Sequence, residues 1–361
     1  MKRYLIFIGL IALLFIAPAC LENFFSSDEE ELNQDMVGVW YRYVKIEDGR
    51  SFGLRGLVKL FDSGSGTIES FEEADQEEPR FDSFKWLTEG GKFTVTDDND
   101  STLWSGSYSL TEDNNVVRFT YIRDSISCEE VYVKYSGAKD PEMVGAWIMV
   151  KSQIGTDVPL NVERVIFNQD GSGTDYYIDD LRKLEDIKST DIEIGPMAWN
   201  TNSNYLIVFE ENESVPMVIK YSVADDVLTG NDYTDDGREE SFTLVKDIDN
   251  IEENAVGTWN LTSATIDGSP VSTAFLQVTL HLNNDGTGAW IMSSTFSGSD
   301  STSFSWKTNG GYVFIYDNAT PLIAWVQEYS LSGNTLILRT DTDYYEEYGW
   351  VSSEYTFARA K

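Results

Sequence analysis

Val256-Gly257-Thr258-Trp259 decides how this chain is read, because Val37-Gly38-Val39-Trp40 and Val144-Gly145-Ala146-Trp147 repeat it. Self-similarity at a fixed period outranks local signals when a fold is inferred. Four further landmarks follow each opening in the same order. A glycine turn comes first, at Ser63-Gly64, Asp170-Gly171 and Asp285-Gly286. A second tryptophan follows, Trp86, Trp199 or Trp306, and then a Tyr-Ser pair beginning at Tyr108, Tyr221 or Tyr329. Second Trp and Tyr are separated by 22, 22 and 23 residues. Each unit closes on a strand carrying a cation: Lys134, Lys246 or Arg359. Five landmarks in register, three times over, mark three homologous domains. The chain of 361 residues divides into a signal segment 1–20, an acidic tether 21–35, and domains at 36–139, 140–250 and 251–361. Each domain has about 105 residues, enough for a core of its own.

The units read as all-β. Leu276, Val278, Leu280 and Leu282 alternate with Gln277, Thr279, His281 and Asn283, the period of a half-buried strand. Eight strand-like runs occur in the third unit and eight in the first, separated by turn signals such as Asn284-Asp285-Gly286 and Asn309-Gly310-Gly311. The second unit departs between 179 and 197, where apolar residues three apart read as a short surface helix or a long loop. Short connections place successive strands side by side and antiparallel. An open sheet of eight would leave two aggregation-prone edges, and closure removes them. Three tandem eight-stranded up-and-down barrels are expected, with a β-sandwich as the alternative.

Gly-x-Trp on a first strand, with a cation on the last, resembles the lipocalin and wider calycin pattern. In that family the tryptophan covers the closed end of the barrel and the cation packs across its indole. The resemblance implies three such pairs here: Trp40 with Lys134, Trp147 with Lys246, and Trp259 with Arg359.

The N-terminus gives an address. Met1-Lys2-Arg3 is basic, Tyr4 to Ile16 is apolar, and Ala17-Pro18-Ala19 leads into Cys20. The apolar run is shorter than the roughly 20 residues of a comfortable membrane span and reads as a secretory signal. Cys20 after small residues resembles a bacterial lipobox, which implies lipidation of Cys20. Leu21 in place of Asp, by the same resemblance, implies the outer membrane. The segment 21–35, with Asp28-Glu29-Glu30-Glu31 at its centre, reads as an extended tether. The formal charge of −35 repels phosphate backbones and so excludes nucleic acid as a partner. Cys128, the only other cysteine, reads as a small core residue.

Candidate sites are few. Trp86, Trp199 and Trp306 either fill the barrels or line a pocket for an apolar or sugar ligand. Tyr345, Tyr348 and Trp350 form an aromatic cluster before the last strand, which either grips a ligand or caps the barrel. The runs Asp97-Asp98-Asn99-Asp100 and Asp232 to Gly237 lack calcium-loop spacing and read as solvated turns. His281, the only histidine, has no Cys or second His to complete a metal site. No cofactor, metal or catalytic constellation is expected. The chain reads as a lipid-anchored, non-catalytic binding protein of the cell envelope, holding a small apolar ligand or glycan in a barrel or at its mouth. The alternative is a structural or adhesion lipoprotein with filled barrels whose surfaces bind other proteins.

Overall fold

The computed structural model of the chain describes residues 32–71, 79–154, 162–178, 192–211, 213–272, 276–294, 298–318, 324–345 and 349–361. It is all-β apart from a turn of 3-10 helix at Gln34–Met36. Barrel one comprises β1 (Gly38–Glu47), β2 (Arg50–Phe52), β3 (Gly56–Leu60), β4 (Ser65–Ser70), β5 (Arg80–Glu89), β6 (Lys92–Thr96), β7 (Thr102–Thr111), β8 (Val116–Arg123) and β9 (Ile126–Lys134). Barrel two comprises β10 (Gly145–Ile154), β11 (Val162–Phe167), β12 (Ser172–Ile178), β13 (Glu193–Asn202), β14 (Tyr205–Glu210), β15 (Met217–Ala224), β16 (Val227–Tyr233) and β17 (Glu239–Lys246). Barrel three comprises β18 (Gly257–Ile266), β19 (Ser269–Val271), β20 (Leu276–Leu282), β21 (Thr287–Ser294), β22 (Gly298–Asn309), β23 (Tyr312–Asp317), β24 (Ala324–Ser332), β25 (Thr335–Tyr345) and β26 (Gly349–Arg359).

Every pairing within the sheets is antiparallel and joins neighbours, and the pairs β1–β9, β10–β17 and β18–β26 close each sheet on itself. The β-sandwich alternative is therefore set aside. The short strands β2 and β19 are hairpin extensions of β1 and β18 and stand outside the eight-stranded closure. Residues 193–197, which the sequence suggests are helix or loop, belong to β13. Its alternating inward Met197 and Trp199 sit in the barrel-two core, and that period overrides the weak helical spacing. The segment 179–191 lies outside the described residues. Residues 32–35, assigned to the tether by sequence, pack on barrel one instead, because Asn33 bonds Thr88 and Tyr108.

A one-residue bulge sits at the same place in each first strand, between Arg42 and Val44, Met149 and Lys151, and Leu261 and Ser263. A bulge resets the alternation of side chains. In β1, Trp40 and Arg42 face inward before the bulge and Lys45 and Glu47 after it, while Tyr41, Tyr43 and Val44 face out.

The barrels stack through one repeated junction. The outer face of β1 meets the outer face of β14: Tyr41 and Tyr43 pack edge-on against Phe209 and Tyr205, with ring centroids 5.5 and 5.1 Å apart. The outer face of β10 meets β23 in the same way, through Ile148 and Val245 against Phe314 and Tyr316. A side-chain amide pins each junction to the preceding barrel's last strand: Asn202 donates to the Lys134 carbonyl at 2.5 Å, and Asn309 to that of Lys246 at 2.8 Å.

Candidate functional site

The five sequence landmarks converge on the closed end of each barrel. Trp40 Nε1 donates to the Met36 carbonyl at 2.8 Å, Trp147 to Met143 at 2.7 Å and Trp259 to Ala255 at 2.8 Å, so each indole is held under a short plug turn. Lys134 Nζ lies 5.2 Å from the Trp40 ring centroid, Lys246 Nζ 5.1 Å from that of Trp147, and the Arg359 guanidinium 4.3 Å from that of Trp259. The same cations donate to plug carbonyls, Lys134 to Asp35 at 2.8 Å, Lys246 to Glu142 at 3.0 Å and Arg359 to Val256 at 2.8 Å. The invariant glycine follows from this. Gly38, Gly145 and Gly257 have φ of +147°, +136° and +151°, and a Cβ there would lie within 3 Å of the cation side chain.

The second tryptophans do similar work. Their backbone N–H groups donate to Gly64, Gly171 and Gly286 at 2.7, 2.8 and 2.7 Å, and their indoles donate to carbonyls flanking the same turns. Trp86, Trp199 and Trp306 are each at most 3% exposed. The shared tyrosines then reach the plug: Tyr108 accepts from Asn33, Tyr221 donates to Asp140 at 2.9 Å, and Tyr329 donates to Glu252. In barrel three this end leaves a void of about 10 Å³, lined by Leu280, Leu282, Trp306, Val313 and Leu338 among others. A drug-sized ligand needs about 300 Å³. The closed end of barrel three is filled.

The opposite ends, the mouths, differ in every barrel. Barrel one's is an ion network. Arg42 and Lys45 point inward and are 2% and 1% exposed. Arg42 donates to the carbonyls of Leu54, Arg55 and Phe71 at 2.7, 2.9 and 2.5 Å and stands 3.8 Å from Glu130. Glu130 accepts from Tyr121 at 2.6 Å and Tyr132 at 2.5 Å. Fully buried Cys128 lies in the same core, unbridged. In barrel three the positions of Arg42 and Lys45 hold Leu261 and Ala264, facing Phe357 and Tyr355 across β26.

Barrel two's mouth is acidic. The inward alternation that carries Val165 and Phe167 into the core also turns Glu163 inward on β11. Asp175 pairs with Val165 across β12 and shares its face. On β16 the inward set runs from Leu228 to Asp232, and Asp232 pairs directly with Glu240 on β17. Four carboxylates from four strands thus converge, with Glu193 and Glu210 further out on the same faces of β13 and β14. Burial, then the charges of Asp175 and Glu240, push the Glu163 carboxyl up to about 8. Burial, then Glu210, raises Asp175 to about 6, and burial raises Asp232 to about 8 despite an N–H bond from Tyr233 and the pull of Arg55. Glu240 is raised for the same reason. This group escaped the sequence analysis, which treated Asp232 as part of a solvated turn. The available signal was a carboxylate at alternate positions to core residues in four strands.

His281 accepts or donates one bond, 2.9 Å to Thr258, on the outer face of β20. Tyr345 and Trp350 lie in β25 and β26, where Tyr345 pairs with Gly349 and Trp350 with Tyr344. Tyr348 and Cys20 lie outside the described residues.

The lipocalin-like domain family matches residues 256–338, within barrel three. No curated protein matches the chain. Among solved structures, similarity extends to transferrin binding protein B from serogroup B Neisseria meningitidis, 9% identical with a TM-score of 0.18, covering 86% of this chain and 66% of that one. A protein of unknown function from Nostoc punctiforme is 10% identical with a TM-score of 0.20, covering 90% and 97%. Transferrin binding protein B from Haemophilus parasuis is 9% identical with a TM-score of 0.21, covering 91% and 76%. The family match covers part of barrel three, and barrels one and two share its closed, eight-stranded antiparallel topology.

Proposed function

We propose that the protein is a lipid-anchored, non-catalytic binding protein of the cell envelope, whose recognition surfaces are the barrel mouths. One observation carries this: three barrels keep the same closed end, landmark for landmark, and have three chemically different mouths. A scaffold used only as a spacer has no call for ion pairs in one mouth, carboxylates in the next and Leu261 and Ala264 at the cation positions of the third. Cys20 is the lipidation site, the acidic segment after it is the tether, and the outer membrane is the destination. The filled closed end of barrel three does favour one element of the adhesion reading, a rigid stack that holds its mouths at fixed spacing. An apolar or glycan ligand would meet barrel three's mouth, where Tyr345 and Trp350 are the residues to test.

The test is a thermal-shift and intrinsic-tryptophan titration of the full chain against apolar, glycan, cationic and anionic ligand panels. Saturable binding that a mouth substitution abolishes and a closed-end substitution spares supports the reading. Absence of saturable binding across all four panels overturns it.

A further inference from the structure

We propose that the mouth of barrel two binds a small organic diammonium cation, one ammonium at Glu163 and Asp175 and the other at Asp232 and Glu240. The inference rests on the mouth-binding reading above and assigns its ligand class. Geometry comes first. The β16–β17 pair places Asp232 and Glu240 directly opposite one another, and such cross-strand neighbours have Cβ atoms about 4.5–5.5 Å apart. Glu163 and Asp175 form a diagonal pair on β11 and β12. The two pairs stand on different strands of one closed wall, which suits a ligand with charge at both ends.

The second observation is that two of these carboxylates, Glu163 and Asp175, are short of partners, while Asp232 accepts only the Tyr233 N–H at 2.7 Å among the described residues. Asp175 Oδ1 is buried with no hydrogen bond, and Glu163 has no hydrogen-bond partner among the described residues. Glu163 and Asp232 are half-buried. Unpaired buried charge is costly, and a cation would relieve it. Barrel one already sends one to the rim: Arg55 pairs there with Glu210 at 3.3 Å and Glu213 at 3.7 Å. Among the described residues, Arg238 at this rim is taken up by Asp236 at 2.9 Å. Below the carboxylates the wall turns apolar, with Met149, Met197 and Phe242 packed on the core. Carboxylates above methionine and phenylalanine suit an ammonium on an aliphatic chain. Among the described residues no group of three carboxylates has the closeness that would hold a metal ion.

The probes are 1,4-diaminobutane, butylamine, 1,4-butanediol and Ca²⁺, titrated calorimetrically into the full three-barrel chain at pH 7.5 in two buffers of different ionisation enthalpy. The diamine binds saturably at least tenfold tighter than the monoamine, the diol does not bind, and protons are released on binding because the carboxyls are partly protonated when empty. Glu163→Gln and Asp232→Asn each weaken the diamine tenfold or more, with midpoints at pH 8 equal to or above the parent, so loss of binding is not loss of fold. Diamine binding unchanged in both variants reduces the effect to surface charge and overturns the proposal. So does Ca²⁺ that displaces the diamine at lower concentration. A neutral or anionic ligand in this mouth sinks the cation assignment and leaves mouth binding standing. Silence across every panel at every mouth sinks both.

Discussion

Gly145 shows how much one residue carries. Its φ of +136° and the Lys246 Cε atom 2.9 Å from a would-be Cβ both exclude a side chain. Gly145→Ala should destabilise barrel two by about 1–3 kcal/mol, the scale of a strained backbone residue. Lys246→Met keeps the aliphatic stem but removes the ammonium over Trp147 and its bond to Glu142, and should cost about 1–2 kcal/mol. Denaturant unfolding followed by tryptophan fluorescence reads both. The mouth carboxylates give a pH dependence of defined sign. Glu163 and Asp232, pushed up to about 8, and Asp175, to about 6, hold protons when folded that the unfolded chain releases near pH 4. Their effect is to lower stability as pH rises from about 4 to about 8. Carboxyls held low, Asp170 by Ser172 and Asp285 by Thr287, act oppositely, and their contribution is lost only below about pH 4. Between pH 5 and 9 the first set governs. The barrel-two melting midpoint should therefore fall across that range, by less in Glu163→Gln, and a flat profile in the parent would contradict the assignment.

At the scale of the element, the fifth strand of each barrel separates the junctions from the ends. β14 and β23 read Tyr-Leu-Ile-Val-Phe and Tyr-Val-Phe-Ile-Tyr, apolar on both faces, because one face fills a barrel and the other meets a neighbour. The equivalent β6 reads Lys-Phe-Thr-Val-Thr and alternates, with Thr94 bonded to Ser105 on its outer face. The first strands follow suit: outward Tyr41 and Ile148 are buried in junctions, and Asn260 in the same place on β18 bonds Thr279 instead. Polar outer faces on terminal units are what stacked repeats need for solubility. Phe314→Asp should detach barrel three from barrel two and leave its fold intact, since Phe314 is absent from the barrel-three core. Calorimetry should then resolve a separate barrel-three transition, and small-angle scattering a broader distribution of shapes. A single unaltered transition would mean that the junction contributes little. The contrast between alternating and continuous strands was legible in the sequence, and reading the fifth strands side by side would have located both junctions.

For the whole molecule, the anchor and the stack define how the mouths are presented. Cys20→Ala should abolish incorporation of labelled fatty acid and move the protein from the membrane to the soluble envelope fraction; retention in the membrane would refute lipidation at that residue. The sequence by itself determined the number of units and their all-β character, and it displayed the landmarks that the structure gathers at the closed end. All five landmarks serve that end, and a constraint imposed three times leaves a repeated pattern that one sequence displays. Tertiary structure alone decided the mouths. Glu163 and Asp175 sit on one hairpin, Asp232 and Glu240 on another well downstream, and their convergence depends on strand register, where a slip of one residue would turn each of them outward. Only closure of β10 onto β17 sets that register around the whole wall, and so brings the two acidic hairpins to one mouth.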